Sequence, residues 1–271
     1  MTTTTLRSHD GTRIVAESRG HGPVTFVVAH GLTGHRGRTG VRLVTGWLAQ
    51  HGRVIVFDQR GHGASSGTCT MGFREPMDLD AVITWARTLS DAPVVTVGFS
   101  LGASVAVRHA GLAMAPERAT PPDAALVSVR ERPDAVVLVS GVAQWFFRGT
   151  HVMDRMFRFT ASPWGRLAMR VAERVRISVR DWGRDVDAPA DRLPTSPTAS
   201  AALIHAPLLV IHGDHDHYFP AEHGERVARA ARDGGNEQVY FWLEHGMGHA
   251  ERGTTEDLIR RIAVWASFAV G

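Results

Sequence analysis

The sequence predicts an α/β fold: a mostly parallel twisted sheet with helices on both faces, and a small helical cap inserted before the strand that carries a candidate acid. Three observations predict it. Short β-branched runs alternate with helical periodicity, several of those runs are apolar at nearly every position, and one long helical stretch interrupts the alternation late in the chain. Near-continuous apolar runs are what a strand needs when helices cover both faces of its sheet.

In chain order, RIVAES (13–18), VTFVVAH (24–30), RVIVFD (53–58), PVVTVGFS (93–100), AVVLVSG (135–141), PLLVIHG (207–213) and QVYFWLE (238–244) read as strands. Helical patterns lie near 40–50, 76–90, 101–114, 221–232 and 254–268. The stretch 114–135 carries four prolines and reads as a surface excursion between a helix and the next strand. From about 142 to 206 the pattern is helical, so the domain plan is a core of 1–141 and 207–271 with a cap at 142–206. The best start signal in the cap is Ser162 as N-cap with Pro163 at the first helical position. Trp164, Leu167, Ala168, Val171 and Val175 then share one face, and Arg166, Arg170 and Arg174 another.

The chain has 271 residues, 44% hydrophobic and 21% charged, the balance of a globular protein with a sizeable core. All thirty basic residues are arginine, which lifts the pI to 9.9 although the net charge is only +3. So small a charge does not imply nucleic-acid binding. The start, MTTTTLRSHDGTR, has no apolar core of a signal peptide, and no run is long enough to cross a bilayer, so the expectation is a cytoplasmic protein without a membrane partner. Cys69 stands alone, which excludes an internal disulfide.

The chemistry is concentrated around Gly98-Phe99-Ser100-Leu101-Gly102. Where a strand feeds directly into a helix, the linking residue takes a strained conformation with its side chain projecting, and glycine is wanted two positions away on either side. Ser100 is therefore a candidate nucleophile, and the Leu101 N–H, at the helix N-terminus, a candidate oxyanion donor. A serine hydroxyl is inert at neutral pH without a base. Downstream, Asp214 and Asp216 follow a strand and either could orient an imidazole, and His249 lies in a glycine-rich loop after the last strand. Nucleophile, acid and base in that order suit a Ser-Asp-His triad.

Five motifs, HGLTG (30–34), DQRGHGASSG (58–67), GFSLG (98–102), HGDHDHYFP (212–220) and GMGHA (246–250), give the chain its resemblance to the α/β-hydrolase superfamily, from about Arg13 to Phe268. The resemblance implies the α/β-hydrolase fold, Asp216 rather than Asp214 as the acid, His249 as the base, and the backbone N–H of Leu32 as the second oxyanion donor beside Leu101. With Ser at position 100 the chain looks like the esterase and thioesterase members. It implies an enzyme that hydrolyses a carboxylic ester or thioester of a small, partly apolar substrate, free or carrier-linked, through an acyl-Ser100 intermediate and with no cofactor. Acyl transfer, elimination and carbon–carbon cleavage use the same triad and stay open, as does a binding protein that has lost turnover.

Several residues have plainer readings. His212, Asp214, His215, Asp216 and His217 could suggest a metal, but their spacing matches no known ligand set, so no metal is expected. His245, at a strand end, is the weaker rival to His249. His35 and His62 read as structural or rim groups, and Asp58 as a turn stabiliser. In the cap, Trp145, Phe146, Met153 and Phe157 are the expected substrate-pocket residues within an apolar cluster that mostly packs cap onto sheet. Ten arginines against six acidic residues between 142 and 192 read as a solvated face.

Overall fold

The computed structural model describes residues 1–126, 128–178 and 193–271, so 179–192 of the expected cap lies outside the described residues. Eight strands form one sheet: β1 (Thr2–Arg7), β2 (Arg13–Arg19), β3 (Thr25–Ala29), β4 (Arg53–Asp58), β5 (Val94–Phe99), β6 (Ala135–Val139), β7 (Leu208–Gly213) and β8 (Val239–Glu244). The spatial order is β1-β2-β4-β3-β5-β6-β7-β8. At one edge β2 runs antiparallel to both of its neighbours, β1 and β4, and every other pairing is parallel.

Seven of these strands match the sequence reading; β1 does not. Its four consecutive threonines show no apolar alternation, and the strand sits at the sheet edge, mostly exposed and paired only with β2. Threonine favours extended backbone, but a strand that buries so little leaves no hydrophobic period.

Alternate strand residues point to opposite faces and are covered there by different helices. Val27 and Ala29 of β3 pack with Leu79 and Val82 of α2 (Glu75–Leu89), Ala103 and Ala106 of α3 (Leu101–Met114), and Val227 of α7 (Glu222–Asp233). Phe26 and Val28 pack with Val41 and Val44 of α1 (Thr39–Leu48) and with Leu258 and Ile262 of α9 (Glu256–Ala269). Between α3 and β6, the 114–135 excursion is anchored rather than superficial: Leu126 and Val129 join Met77 and Leu112 in a small core, and Asp123 is buried.

Chain direction around the sheet reverses at β3, whose neighbours are β4 and β5. A crevice opens at the C-terminal ends of strands at such a point. Pairing of Ala29 with Gly98 brings the segment after β3 beside Ser100.

Over this crevice lie α4 (His151–Ala161) and α5 (Pro163–Ala172), capped by Thr150 and Ser162, each accepting an N–H bond in the first turn. Met153, Phe157 and Met169 pack there with Leu101, Val175, Ile177 and Phe219. Bridges of His62 with Val175 and Cys69 with Ile177 tie the chain after α5 to the 60–69 loop. Further on, α6 (Pro197–Ala201) packs on α3 and α7, with Gly111 allowing the approach, since a Cβ there would lie 2.5 Å from the Ser200 oxygen.

The α5 start matches the sequence reading, but its apolar stripe does not face inward: Trp164, Leu167 and Val171 are 80%, 51% and 74% exposed. The helix buries Gly165 and Met169 instead. A Cβ on Gly165 would sit 1.8 Å from the Phe159 carbonyl oxygen, so the glycine edge presses against the end of α4 and turns the stripe outward. Among the described residues, no helix is long and apolar enough to cross a membrane.

Candidate active site

Ser100 occupies the turn between β5 and α3 with φ of 51° and ψ of −112°, a conformation an L-residue rarely adopts. The flanking glycines are required by contact. A Cβ on Gly98 would lie 2.3 Å from the Gly102 oxygen, and one on Gly102 only 2.0 Å from the Ala29 oxygen. Such a turn pushes the hydroxyl out over the end of the sheet.

His249 Nε2 stands 2.9 Å from Ser100 Oγ, and His249 Nδ1 2.7 Å from Asp216 Oδ2. The other Asp216 oxygen accepts the N–H groups of Tyr218 (2.8 Å) and Phe219 (3.1 Å). Burial works to raise the Asp216 carboxyl, but the His249 and backbone hydrogen bonds outweigh it and hold it below its ordinary range. An ionised acceptor keeps the proton on Nδ1 and leaves the Nε2 lone pair towards the serine. Tyr218 stacks on the imidazole, ring centroids 4.4 Å apart, with Phe219 edge-on at 5.5 Å.

The rivals lie elsewhere. Asp214 is exposed and accepts from His245 Nδ1 (2.8 Å) and the Gly246 N–H (2.7 Å), closing the turn before His249. His212 is buried and donates from Nε2 to the Phe219 carbonyl at 3.0 Å. The same His212 nitrogen stands 3.5 Å from Asp216 Oδ2, whereas His215 lies 4.0 Å from Asp214 on the exposed side.

The loop His30–Gly34 is clamped from three sides. The Gln59 N–H donates to His30 Nε2 at 3.2 Å, which leaves His30 Nδ1–H to donate to the Gly31 oxygen at 2.8 Å. Burial, with repulsion from His62, pushes His30 down to about 3, so it stays neutral. His62 is buried beneath the loop, Nε2 at 2.8 Å from the Leu32 oxygen and Nδ1 at 2.9 Å from that of Arg60. The Gly31 N–H donates to Glu251 Oε1 at 2.7 Å. Among the described residues, no bond engages the N–H of Leu32 or of Leu101. Asp58 ties the next turn, accepting from Arg36 N (2.7 Å) and Ala64 N (2.9 Å).

A cavity of about 490 Å³ opens over Ser100 and His249. Trp145, Phe146, Met153 and Phe157 all line it, together with Met71, Phe147, Met156, Tyr218 and Phe219. The structure therefore brings together Ser100, Asp216, His249, Leu32, Leu101 and the four cap residues singled out from sequence. Sequence reasoning missed Tyr218 and Phe219 as site residues, although both stand within two or three positions of Asp216. It also missed Glu251, two residues after His249, for which no sequence signal existed. Chemically, the arrangement can pass a proton from the hydroxyl to the imidazole and offer two amides to a negative oxygen in an apolar cavity.

The family model described as "Alpha/beta hydrolase family" matches residues 26–254. Among solved structures, the chain is similar to an esterase of Pyrococcus furiosus, with TM-score 0.72 and 20% identity over 100% of this chain and 91% of that one. It is similar to an esterase of a Rhodococcus species, with TM-score 0.72 and 18% identity over 99% and 100% of the two chains. A thermophilic esterase of Thermogutta terrifontis aligns with TM-score 0.65 and 19% identity over 100% of both chains. No curated protein matches the sequence.

Proposed function

Since the chain belongs to the alpha/beta hydrolase family, we propose that it is a serine hydrolase that cleaves a carboxylic ester or thioester of a small, partly apolar substrate. The observation that carries this reading is the unbroken chain of short contacts from Ser100 Oγ through His249 to Asp216. The known esterases of similar fold support the same reaction class.

In this reading Ser100 Oγ attacks the carbonyl carbon while His249 Nε2 takes its proton. Negative charge gathers on the former carbonyl oxygen, and the amides of Leu32 and Leu101 receive it, the latter aided by the α3 N-terminus. Collapse breaks the bond to the alcohol or thiol, which leaves with the proton from His249. A water then gives a proton to His249 and attacks the acyl carbon; as the carbonyl re-forms, the bond to Ser100 Oγ breaks, Oγ takes that proton back from His249 and the carboxylic acid leaves. Asp216 holds the imidazole in the required tautomer and balances its transient charge. As part of a cap, α4 closes the cavity through Met153, Met156 and Phe157, and the aromatic and methionine lining suits an apolar acyl or alcohol group.

The test is labelling with a fluorophosphonate read by intact mass, alongside p-nitrophenyl ester hydrolysis by wild type and Ser100→Ala. One label on the wild type, none on the variant, and turnover lost with Ser100 are expected. Labelling without ester turnover would favour transfer or carbon–carbon cleavage, and absence of labelling would leave only a binding protein.

A further inference from the structure

Glu251 is a carboxyl group in the wall of the cavity that the reaction above does not use. It belongs to α8 (Ala250–Gly253), directly after His249. One oxygen holds the Gly31 N–H at 2.7 Å. A methyl group built on Gly31 would lie 3.3 Å from Glu251 Oε2 and 3.4 Å from Ser100 Cβ, so one glycine is all that separates the carboxyl from the nucleophile. On its other side Glu251 packs against Gly40 of α1, where a Cβ would lie 3.4 Å from that of the glutamate.

We infer that Glu251 is a positioning residue for the 30–34 loop, and that its charge is felt at the ester oxygen. The inference rests on the hydrolase reading and deepens it. The Gly31 N–H belongs to the His30–Gly31 peptide, one residue before the peptide that carries the Leu32 N–H, so Glu251 fixes the entry to that peptide while His30 Nδ1 and the Gly34 N–H hold its oxygen, and together they aim the Leu32 N–H. The same carboxyl, once ionised, stands near the oxygen where negative charge develops, and like charges in a partly desolvated site repel. The loop therefore gains order from Glu251 and loses some electrostatic benefit when the group is charged.

The charged and titratable neighbours are few. His249 and Arg252 lie on the same segment, and His30 stands behind Gly31 and stays neutral. α1 meets Glu251 through Gly40, and Glu173, which also lines the cavity, is paired with Arg38 at 2.8 Å. Burial raises the Glu251 carboxyl above its ordinary range, opposed in part by the Gly31 hydrogen bond and the nearness of His249 and Arg252.

Glu251→Gln keeps an acceptor for Gly31 and removes the charge; Glu251→Ala removes both. The measurement is kcat and KM for a p-nitrophenyl ester from about pH 5 to about pH 9, with wild type and Ser100→Ala beside them. The ratio of Glu251→Gln to wild type in kcat is expected to rise with pH as the wild-type carboxyl ionises, levelling at on the order of tenfold. Glu251→Ala is expected to fall about tenfold or more below Glu251→Gln in kcat, with KM little changed, because a misaimed donor costs transition-state binding. A ratio independent of pH, or equal kcat in the two variants, overturns the inference. Thermal unfolding of both variants separates a lost loop contact from a lost fold, and the glutamine variant alone still decides the charge effect. Failure of wild type to hydrolyse any ester would instead overturn the hydrolase reading.

Discussion

Tyr218 lies against the face of His249, with ring centroids 4.4 Å apart and planes 28° from parallel. The same short segment sends the N–H groups of Tyr218 and Phe219 to Asp216. One turn therefore fixes both the carboxylate and the imidazole it orients. An aromatic face stabilises a ring that gains positive charge by about 0.5–2 kcal/mol. Tyr218→Ala is expected to lower kcat for ester hydrolysis by about 3- to 30-fold, whereas Tyr218→Phe, which keeps the ring, holds kcat close to wild type. Equal kcat in all three proteins would show that stacking does not support the imidazolium.

Asp216→Asn preserves shape but offers an N–H where His249 Nδ1–H needs an acceptor, which favours the wrong tautomer. The expected loss in kcat is about three to four orders of magnitude, with KM altered far less. Asp214→Asn serves as the internal comparison. Its partners are His245 and Gly246, so it should retain most of the activity, and similar losses in the two variants would contradict the assignment of the acid.

Arg108, eight residues along α3 from Ser100, is fully buried and pairs with buried Asp123 of the 114–135 excursion. It also donates to the carbonyls of Gly72, Phe73 and Thr195 and lies 5.4 Å from the ring centre of Trp145. Removing one partner of a buried pair leaves an uncompensated charge, at a cost of about 3–5 kcal/mol. Arg108→Met should therefore lower Tm by roughly 10 °C, and adding Asp123→Asn should recover part of the loss. Circular dichroism melts read both, and a shift of only a degree or two in the single variant would show that the pair contributes little.

Acid stability follows from groups held away from their ordinary ionisation. Burial, with repulsion from His212 and Arg226, lowers His223 to about 4 from 6.5, and burial lowers His30 to about 3 from 6.5. Below 6.5 the unfolded chain takes up protons at these sites that the folded chain refuses, so stability is full above that pH and falls as pH drops towards 4. Lower still, burial opposes but does not prevent the ionisation of Asp10, favoured by Arg60, and Asp80, favoured by His109 and His9; both carboxyls sit at about 2 against 3.8. Their contribution is present above 3.8 and is lost as pH falls through about 2. His223→Asn keeps an acceptor for the Ala143 N–H and removes one titration. Denaturant unfolding at a series of pH values should show a shallower loss between 6.5 and 4, the difference being on the order of 2 kcal/mol. Parallel curves for the two proteins would rule out this source.

Much of the architecture was legible because burial on both faces leaves apolar runs, and because the Gly98–Gly102 turn has a steric signature independent of the rest of the chain. β1 was not legible, since an exposed edge strand carries no such run. The 114–135 excursion misled in the opposite sense. Its prolines speak of turns, but nothing local announces that Asp123 will meet Arg108 in the interior.

By itself the sequence determined which segments are strands and helices, that Ser100 stands in a strained turn, and in what order the remaining reactive groups follow. Only the tertiary structure decided that His249, 149 residues from Ser100, reaches its hydroxyl, that Asp214 turns outward, that Glu251 meets Gly31, and that the α5 stripe faces away. The physical reason is range. Periodicity and backbone strain are set by neighbours along the chain, whereas convergence of distant side chains depends on strand order and on which helix face packs. In α5 that choice came down to a single missing Cβ at Gly165.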